Sequence, residues 1–565
     1  MSRRGLLSTL PALTLALFLA PVVAGLVGTW LPAFGYFPTL GGESFSLAPW
    51  AMLAAQPGLG ESLRLTLLSG FLATFLAFWL TILFLAACHD GRLVLALRGV
   101  MAPLIAVPHA AVALGLAFLI APSGWLVRLV SPWATGWELP PDLATVQDPH
   151  GLALTLGLVI KELPFLLLMT LAALGQVRAE ERLAVARSLG YGPVTAWLKA
   201  VLPAVYRQIR LPVYAVLAYS LSVVDMALVL APLTPPPLAV QVLRWFNDPD
   251  LTLRFVAAAG ATLQLLVVVA GIALWRLGEL TAAALGRAWI AGGARGRSGR
   301  LLRGITSGLV LGLVALAAAG VVALALWSVT RRWRYPDAWP AELSLETWAR
   351  QAQDVVTFTG NTLLLGLAAA AVALLLVLGC LENEQRRGLT PSNRALWLLY
   401  VPLLVPQVAF LFGTQVLAIH AGLDATWVAL VWSHLLFVLP YVFLTLGDPY
   451  RALDERYART ALCLGARPNR VFWQVKLPML LRPVLFALAV GFAVSVTQYL
   501  PTLFAGGGRI VTLTTEAVGL SSGGDRRVIG VYAFLQALLP LLAFAAALAL
   551  PRPIAQRRKL QTQPA

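Results

Sequence analysis

The side chains in this 565-residue chain that could do chemistry are few and lie in apolar surroundings. Lys161 and Glu162 are adjacent, His109 follows Pro108, and Ser220, Ser222 and Asp225 share one apolar run, as Ser495, Thr497 and Gln498 share another. An ionisable group inside lipid is costly, so such residues suggest a solute path, or else a group near a helix end that reaches water. Small polar residues there could line a cavity or could hold helices together. Lys161 beside Glu162 reads first as a satisfied structural pair or an outer-edge group. Enzyme chemistry finds no support, because the five His are scattered and neither H-E-x-x-H nor G-x-S-x-G occurs. Cys88, Cys380 and Cys463 form no C-x-x-C pair, so neither a disulfide framework nor a metal site is expected. There is no G-x-x-x-x-G-K-S/T loop to cradle phosphate; the chain is expected to bind no cofactor, and ATP, if used, to be hydrolysed on a separate subunit.

The elements that must position these residues are set by composition. With 59% hydrophobic and 12% charged residues and a mean hydropathy of +0.81, the chain carries more apolar surface than a water-soluble fold hides. A hydrocarbon core of about 30 Å takes roughly 20 helical residues to cross, and about twelve apolar stretches approach that length. They cover 6–29, 62–88, 99–122, 151–175, 211–231, 254–280, 304–327, 359–381, 395–418, 426–447, 483–500 and 530–550. The alternating pattern of a membrane barrel is absent, so the fold class is an all-α integral membrane protein. If the fifth helix begins near Leu211, Asp225 lies about 21 Å along it.

The net charge of +17 suits nucleic acid only if the cations are gathered for it. With a cytoplasmic N-terminus, about thirty of the 42 Lys and Arg fall in inward-facing segments, among them Arg3, Arg4, Arg287, Arg295, Arg297, Arg300 and Arg303. The expected partner is therefore the bilayer and not nucleic acid, with both termini cytoplasmic. The stretch 6–29 is longer than a signal-peptide core and reads as an uncleaved first span.

Self-comparison exposes a repeat. EERLAVARSLGYGPVTAWLKAVLP at 180–203 aligns without a gap on ERYARTALCLGARPNRVFWQVKLP at 455–478. Glu180 pairs with Glu455, Ala186 with Ala461, Leu189 with Leu464, Gly190 with Gly465, Pro193 with Pro468, Leu202 with Leu477 and Pro203 with Pro478. Upstream, Pro164 matches Pro440, Pro108 matches Pro406 and Gly115 matches Gly413. The shift in register between these matches implies an extra outer loop around 131–148. The expected organisation is two homologous six-helix halves, 1–286 and 304–565, joined by a flexible, basic, Gly-rich linker at 287–303.

Within each repeated segment, strong helix formers precede a glycine that permits a tight turn, and a proline suited to the first turn of a new helix follows. Leu183, Val185, Ala186 and Leu189 gather toward one side of the first of these helices. An amphipathic surface helix is the plainer reading. Duplication favours a pair of equivalent sockets for a two-fold partner.

These loops resemble the EAA loop of binding-protein-dependent ABC importer permeases, with Ala186, Gly190, Leu202 and Pro203 and, in the second copy, Ala461, Gly465, Leu477 and Pro478 in the motif positions. The strict Glu position holds Ala184 and Arg459, with Glu180 and Glu455 four residues earlier. The whole chain most resembles the fused branch of that family, which includes iron(III) and thiamine permeases. The resemblance implies a type I importer permease in a bacterial inner membrane. It also implies two copies of an ABC ATPase that carry ATP and Mg²⁺ and grip the loops, and a periplasmic substrate-binding protein. Iron, thiamine, polyamines and oxyanions all remain open as substrates. The main rival is a secondary transporter of the major-facilitator type, also built of parallel repeats. It has no need of the duplicated loops.

Overall fold

The computed structural model describes residues 6–550 other than 90, 297–298 and 390–392, so Arg3, Arg4 and Arg297 of the charge argument lie outside it. Among the described residues nine helices are long and apolar enough to cross a membrane, or up to eleven if two bent pairs each count as one span. The nine are Leu10–Ala33, Leu59–Cys88, His109–Val130, Leu152–Gln176, Leu253–Ala291, Arg300–Ser328, Ala352–Arg387, Trp427–Arg451 and Arg526–Ala549. The bent pairs are Leu398–Leu404 with Gln407–His420, at 100°, and Pro468–Met479 with Leu481–Thr497, at 77°. The remaining expected span, 211–231, is the helix Leu202–Ser222, whose early turns carry Arg207 and Arg210 and so shorten its apolar part.

Four expected spans are interrupted. The stretch 99–122 divides into Arg92–Ala106 and His109–Ile120, and 395–418 divides into Asn393–Leu404 and Gln407–His420. The matched Pro108 and Pro406 stand at the two breaks, because proline removes a backbone donor and pushes the residue before it out of the helical region. The stretches 211–231 and 483–500 also break. Leu202–Ser222 is followed by Asp225–Leu230, and Leu481–Thr497 by Leu500–Gly506. Asp225 therefore opens a new short helix and does not sit deep within a continuous one.

The first helix of each half packs on the other half. Gly28 of Leu10–Ala33 approaches Gly413, where a Cβ on Gly28 would lie 2.9 Å from the Gly413 Cα, and Gly115 meets Gly320 of Arg300–Ser328, where a Cβ on Gly115 would lie 2.8 Å from the Gly320 carbonyl. Close backbone approach at small residues is how membrane helices gain packing energy when lipid tails are as apolar as their own side chains. The paired Gly115 and Gly413 thus make reciprocal contacts.

The hydrophobic core is distributed unevenly. Away from the repeated loops, residues of both halves share one continuous core, with Phe246 stacked on Phe412 at 4.2 Å between ring centroids. Toward the loops there are two separate cores, one around Phe84, Leu167, Trp197 and Val213 of the first half with Val310 of the second, and the other around Leu381, Leu439, Tyr450 and Leu480 of the second half with Phe18 of the first. On the shared side the inserted loop joins in, as Tyr335 Oη donates to Ser131 Oγ at 3.0 Å, while the buried Arg128 donates to the Arg334 carbonyl at 2.7 Å.

Candidate functional site

The repeated loops are built alike to the level of single hydrogen bonds. After helix Ala179–Ser188 the chain turns through Gly190 at φ +82°, with Gly190 N donating to Arg187 O and Tyr191 N to Ala186 O. After Glu455–Cys463 it turns through Gly465 at φ +84°, with Gly465 N donating to Leu462 O and Ala466 N to Ala461 O. This left-handed helix stop explains why the motif fixes a glycine, since a Cβ there is strained. Pro193 and Pro468 then start the short helices Pro193–Ala196 and Pro468–Val471.

A feature that sequence reading missed follows. Trp197–Val201 and Phe472–Lys476 are both π-helical turns, 275 residues apart. Leu202 and Pro203, like Leu477 and Pro478, come directly after them. The same interval separates Ser222 from Thr497, where both following helices end, and Asp225 from Leu500, where both resume. Such wide turns break the regular i to i−4 ladder and recur at functional positions. No residue type in either stretch announces them.

The loops leave apolar side chains in the open. Leu183 and Ala186 pack inward, but Leu189 is 58% exposed and its partner Leu464 83%. The expected grouping of Val185 and Leu189 with the inward residues is thus corrected. Glu180 and Glu455 are exposed, and Glu455 lies 3.4 Å from Arg459.

Each loop is also tied to the body of the molecule. In the first, Gly192 N donates to Arg295 O at 2.8 Å, and Lys199 Nζ donates to the carbonyls of Trp289 and Ala294 at 2.9 and 2.8 Å. In the second, Lys476 Nζ donates to Glu382 Oε2 at 2.7 Å and to Gln385 Oε1 at 2.8 Å, while Tyr450 Oη donates to the same carboxylate. The expected linker at 287–303 is therefore much shorter. Helix Leu253–Ala291 runs into it, the next helix starts at Arg300, and Arg295 between them lies against the first loop.

Between the halves, where the four helices break, lies a cavity of about 240 Å³. Ser222, Asp225, Thr497 and Gln498 line it. Ser220 and Ser495 do not: Ser495 Oγ bonds His434 Nδ1 at 2.7 Å behind the wall, and Ser220 is buried without a partner among the described residues. The period of the helix turns these serines away from the face that Ser222 and Thr497 occupy. Lys161 and Glu162 belong to the wall and not to an outer edge or a closed pair. Tyr219, Gln407, Tyr441 and Tyr499 complete the polar lining. The prolines held a signal for part of this set, since His109 and Gln407, the residues directly after Pro108 and Pro406, both reach the cavity.

On the face with the shared core, Arg509 lies 3.9 Å from Asp424, and Asp525 caps the helix Arg526–Ala549. The Arg527 guanidinium donates to Asp525 and holds its carboxyl below the usual range, whereas burial pushes the Glu516 carboxyl up.

Residues 362–552 match the family described as binding-protein-dependent transport system inner membrane component. The chain is 34% identical over 511 residues to the inner membrane ABC transporter permease protein YnjC of Escherichia coli, covering 90% of this chain and 91% of that one. A molybdenum transport system permease protein, ModB, of Mycobacterium tuberculosis is 31% identical over 215 residues, which is 36% of this chain and 78% of the relative. The putrescine transport system permease protein PotI of Escherichia coli is 26% identical over 152 residues, or 26% of this chain and 54% of that one. These relatives are transport permeases and not enzymes, and their family works with ATPase and binding-protein partners. The major-facilitator alternative is set aside by the same matches. A multi-pass helical bundle with EAA-like loops and full-length similarity to an inner membrane permease makes this chain a member of the ABC importer permease family.

Proposed function

We propose that the loops at 180–203 and 455–478 are the seats of two ATPase subunits, one on each, on the cytoplasmic face. ATP and Mg²⁺ are then held by those subunits, and a periplasmic binding protein delivers solute to the face where the halves share a core. In this reading both termini lie in the cytoplasm, 1–286 and 304–565 act as the two moving halves, and Ser222, Asp225, Thr497 and Gln498 face the solute. The observation that carries the proposal is the exposure of Leu189 and Leu464 at equivalent positions on two loops with the same turn and the same π-helical step. A partner with two-fold symmetry needs two such equivalent seats. Separate cores on the loop side, against one core on the other, also suit a form open toward the ATPases.

Replacing both turn glycines, Gly190→Arg with Gly465→Arg, places a bulky side chain at two left-handed positions. The permease is expected to remain in the membrane and elute as a folded species but to lose its ATPase on co-purification. Retention of the ATPase by the double variant would refute the docking role.

A further inference from the structure

The charges lining the cavity all come from the first half, and their partners differ. Lys161 is already committed: its Nζ donates to the carbonyls of Ile105 at 2.6 Å and Val107 at 2.5 Å. The break at Pro108 leaves these carbonyls without regular helical partners, so an ammonium with three donors closes the gap in the chain. Glu162 is in the opposite situation. Its side chain is 8% exposed, it faces the cavity, and the ionisable side chain within 4 Å of it among the described residues is His109, whose Nε2 lies at 3.7 Å, beyond hydrogen-bonding distance. Asp225 is better supplied, with a long side-chain bond from Tyr219 Oη at 3.3 Å beside backbone N–H groups at the start of its own helix, and the His109 and Tyr219 rings lie 4.6 Å apart. The wall from the second half is uncharged, contributing Gln407, Tyr441, Thr497, Gln498 and Tyr499.

A buried carboxylate with no donor is costly to maintain, and the cost falls when a cation arrives. Aromatic faces add attraction for the same sign of charge. An oxyanion would meet two carboxylates, while the cation among the described lining residues is turned toward backbone carbonyls. We infer that the cavity receives a small organic cation, an amine or quaternary ammonium solute, with its charge held by Glu162 and Asp225 and its body against Tyr219, Tyr441 and Tyr499. This rests on the cavity being the solute path of the permease.

The test reads the sign of the cavity directly. In the full-length chain with Cys88, Cys380 and Cys463 replaced by Ser, Ser222→Cys places a thiol in the lining. Its rates of modification by a trimethylammonium-bearing and a sulfonate-bearing methanethiosulfonate are compared with those of the exposed Cys463 in the native chain. The preference for the cationic reagent is expected to exceed that at Cys463 by about tenfold or more, the range in which a charged cleft concentrates counter-ions. Adding Glu162→Gln with Asp225→Asn should return it close to the Cys463 value, and adding Lys161→Met should not lower it. A ratio equal to that at Cys463, a preference for the sulfonate, or no reaction of the introduced thiol with either reagent in the Ser222→Cys chain overturns the inference. No ATPase takes part, so failure here leaves the docking of the ATPase standing, and loss of that docking with the cation preference intact would sink the coupling reading alone.

Discussion

In the first half Lys199 reaches sideways to the carbonyls of Trp289 and Ala294, with its ammonium 4.5 Å from the centre of the Trp289 ring, whereas in the second half Lys476 reaches into the bundle and meets Glu382. Both lysines belong to the matched π-helical turns, two residues apart in register. The turn itself is therefore common, and what it is tied to is not. The first loop is tied to the connection between the halves, ahead of Arg300–Ser328. The second is tied directly to Ala352–Arg387, on which Glu382, Gln385 and Arg386 stand. Two loops of one design are thus anchored to different helices.

The strongest way to break this comparison is to remove the buried member of the second tie. Glu382 and Lys476 side chains are 4% and 7% exposed, and removing one partner of a buried pair typically costs about 3 to 5 kcal/mol. Glu382→Ala should cost about 3 kcal/mol, the low end, because Gln385 still accepts from Lys476. It should appear as a thermal transition several degrees lower in purified permease, with much of the loss recovered by Glu382→Met combined with Lys476→Met. An unchanged transition in Glu382→Ala would mean that the pair holds nothing.

The sequence made some of this legible and hid the rest for identifiable reasons. Apolar runs marked every span but not its bounds, as 211–231 against Leu202–Ser222 and 254–280 against Leu253–Ala291 show, because polar turns extend helices beyond their apolar part. The spacing of Ala186, Gly190, Pro193 and their partners located both turns, because left-handed backbone depends on local residue type. Helix breaks were legible only in part. Pro108 and Pro406 were paired from the sequence, yet the break after Ser222 carries no proline, and the one after Thr497 is marked by the unpaired Pro501, which lacks the N–H that the Thr497 carbonyl would need to continue the helix. Ser220 and Ser495 were grouped with the lining residues because they stand two positions from Ser222 and Thr497, although the helical period puts them on the opposite face. The role of Lys161 was illegible because its partners are main-chain carbonyls of another helix, which no side-chain pattern records.

Where the halves are alike, responses of the same sign are expected, which sharpens the contrast at the loops. Gly115→Leu and Gly413→Leu each force a side chain into the closest approach between one half and the first helix of the other. Overpacking of this kind costs roughly 1 to 3 kcal/mol, so both variants should lower the thermal transition, Gly413→Leu the more because a Cβ there runs into the Gly25 carbonyl. A large effect at one site and none at the other would show that the packing is not reciprocal in energy.

The smallest effect belongs to the first tie, which is exposed and built on backbone acceptors. Lys199→Met keeps an apolar stem over Trp289 and loses two hydrogen bonds to carbonyls at the surface of the loop. Water can replace those bonds, so the net change is about 1 kcal/mol or less, with the bundle's thermal transition unmoved. The local change should still be visible, because the chain around Ala294 and Arg295 would be released from the loop and cut sooner by trypsin at Arg295. If Lys199→Met instead destabilised the whole bundle as much as Glu382→Ala, the two ties would be mechanically equivalent despite their different partners, and the distinction between the loops would rest on geometry alone.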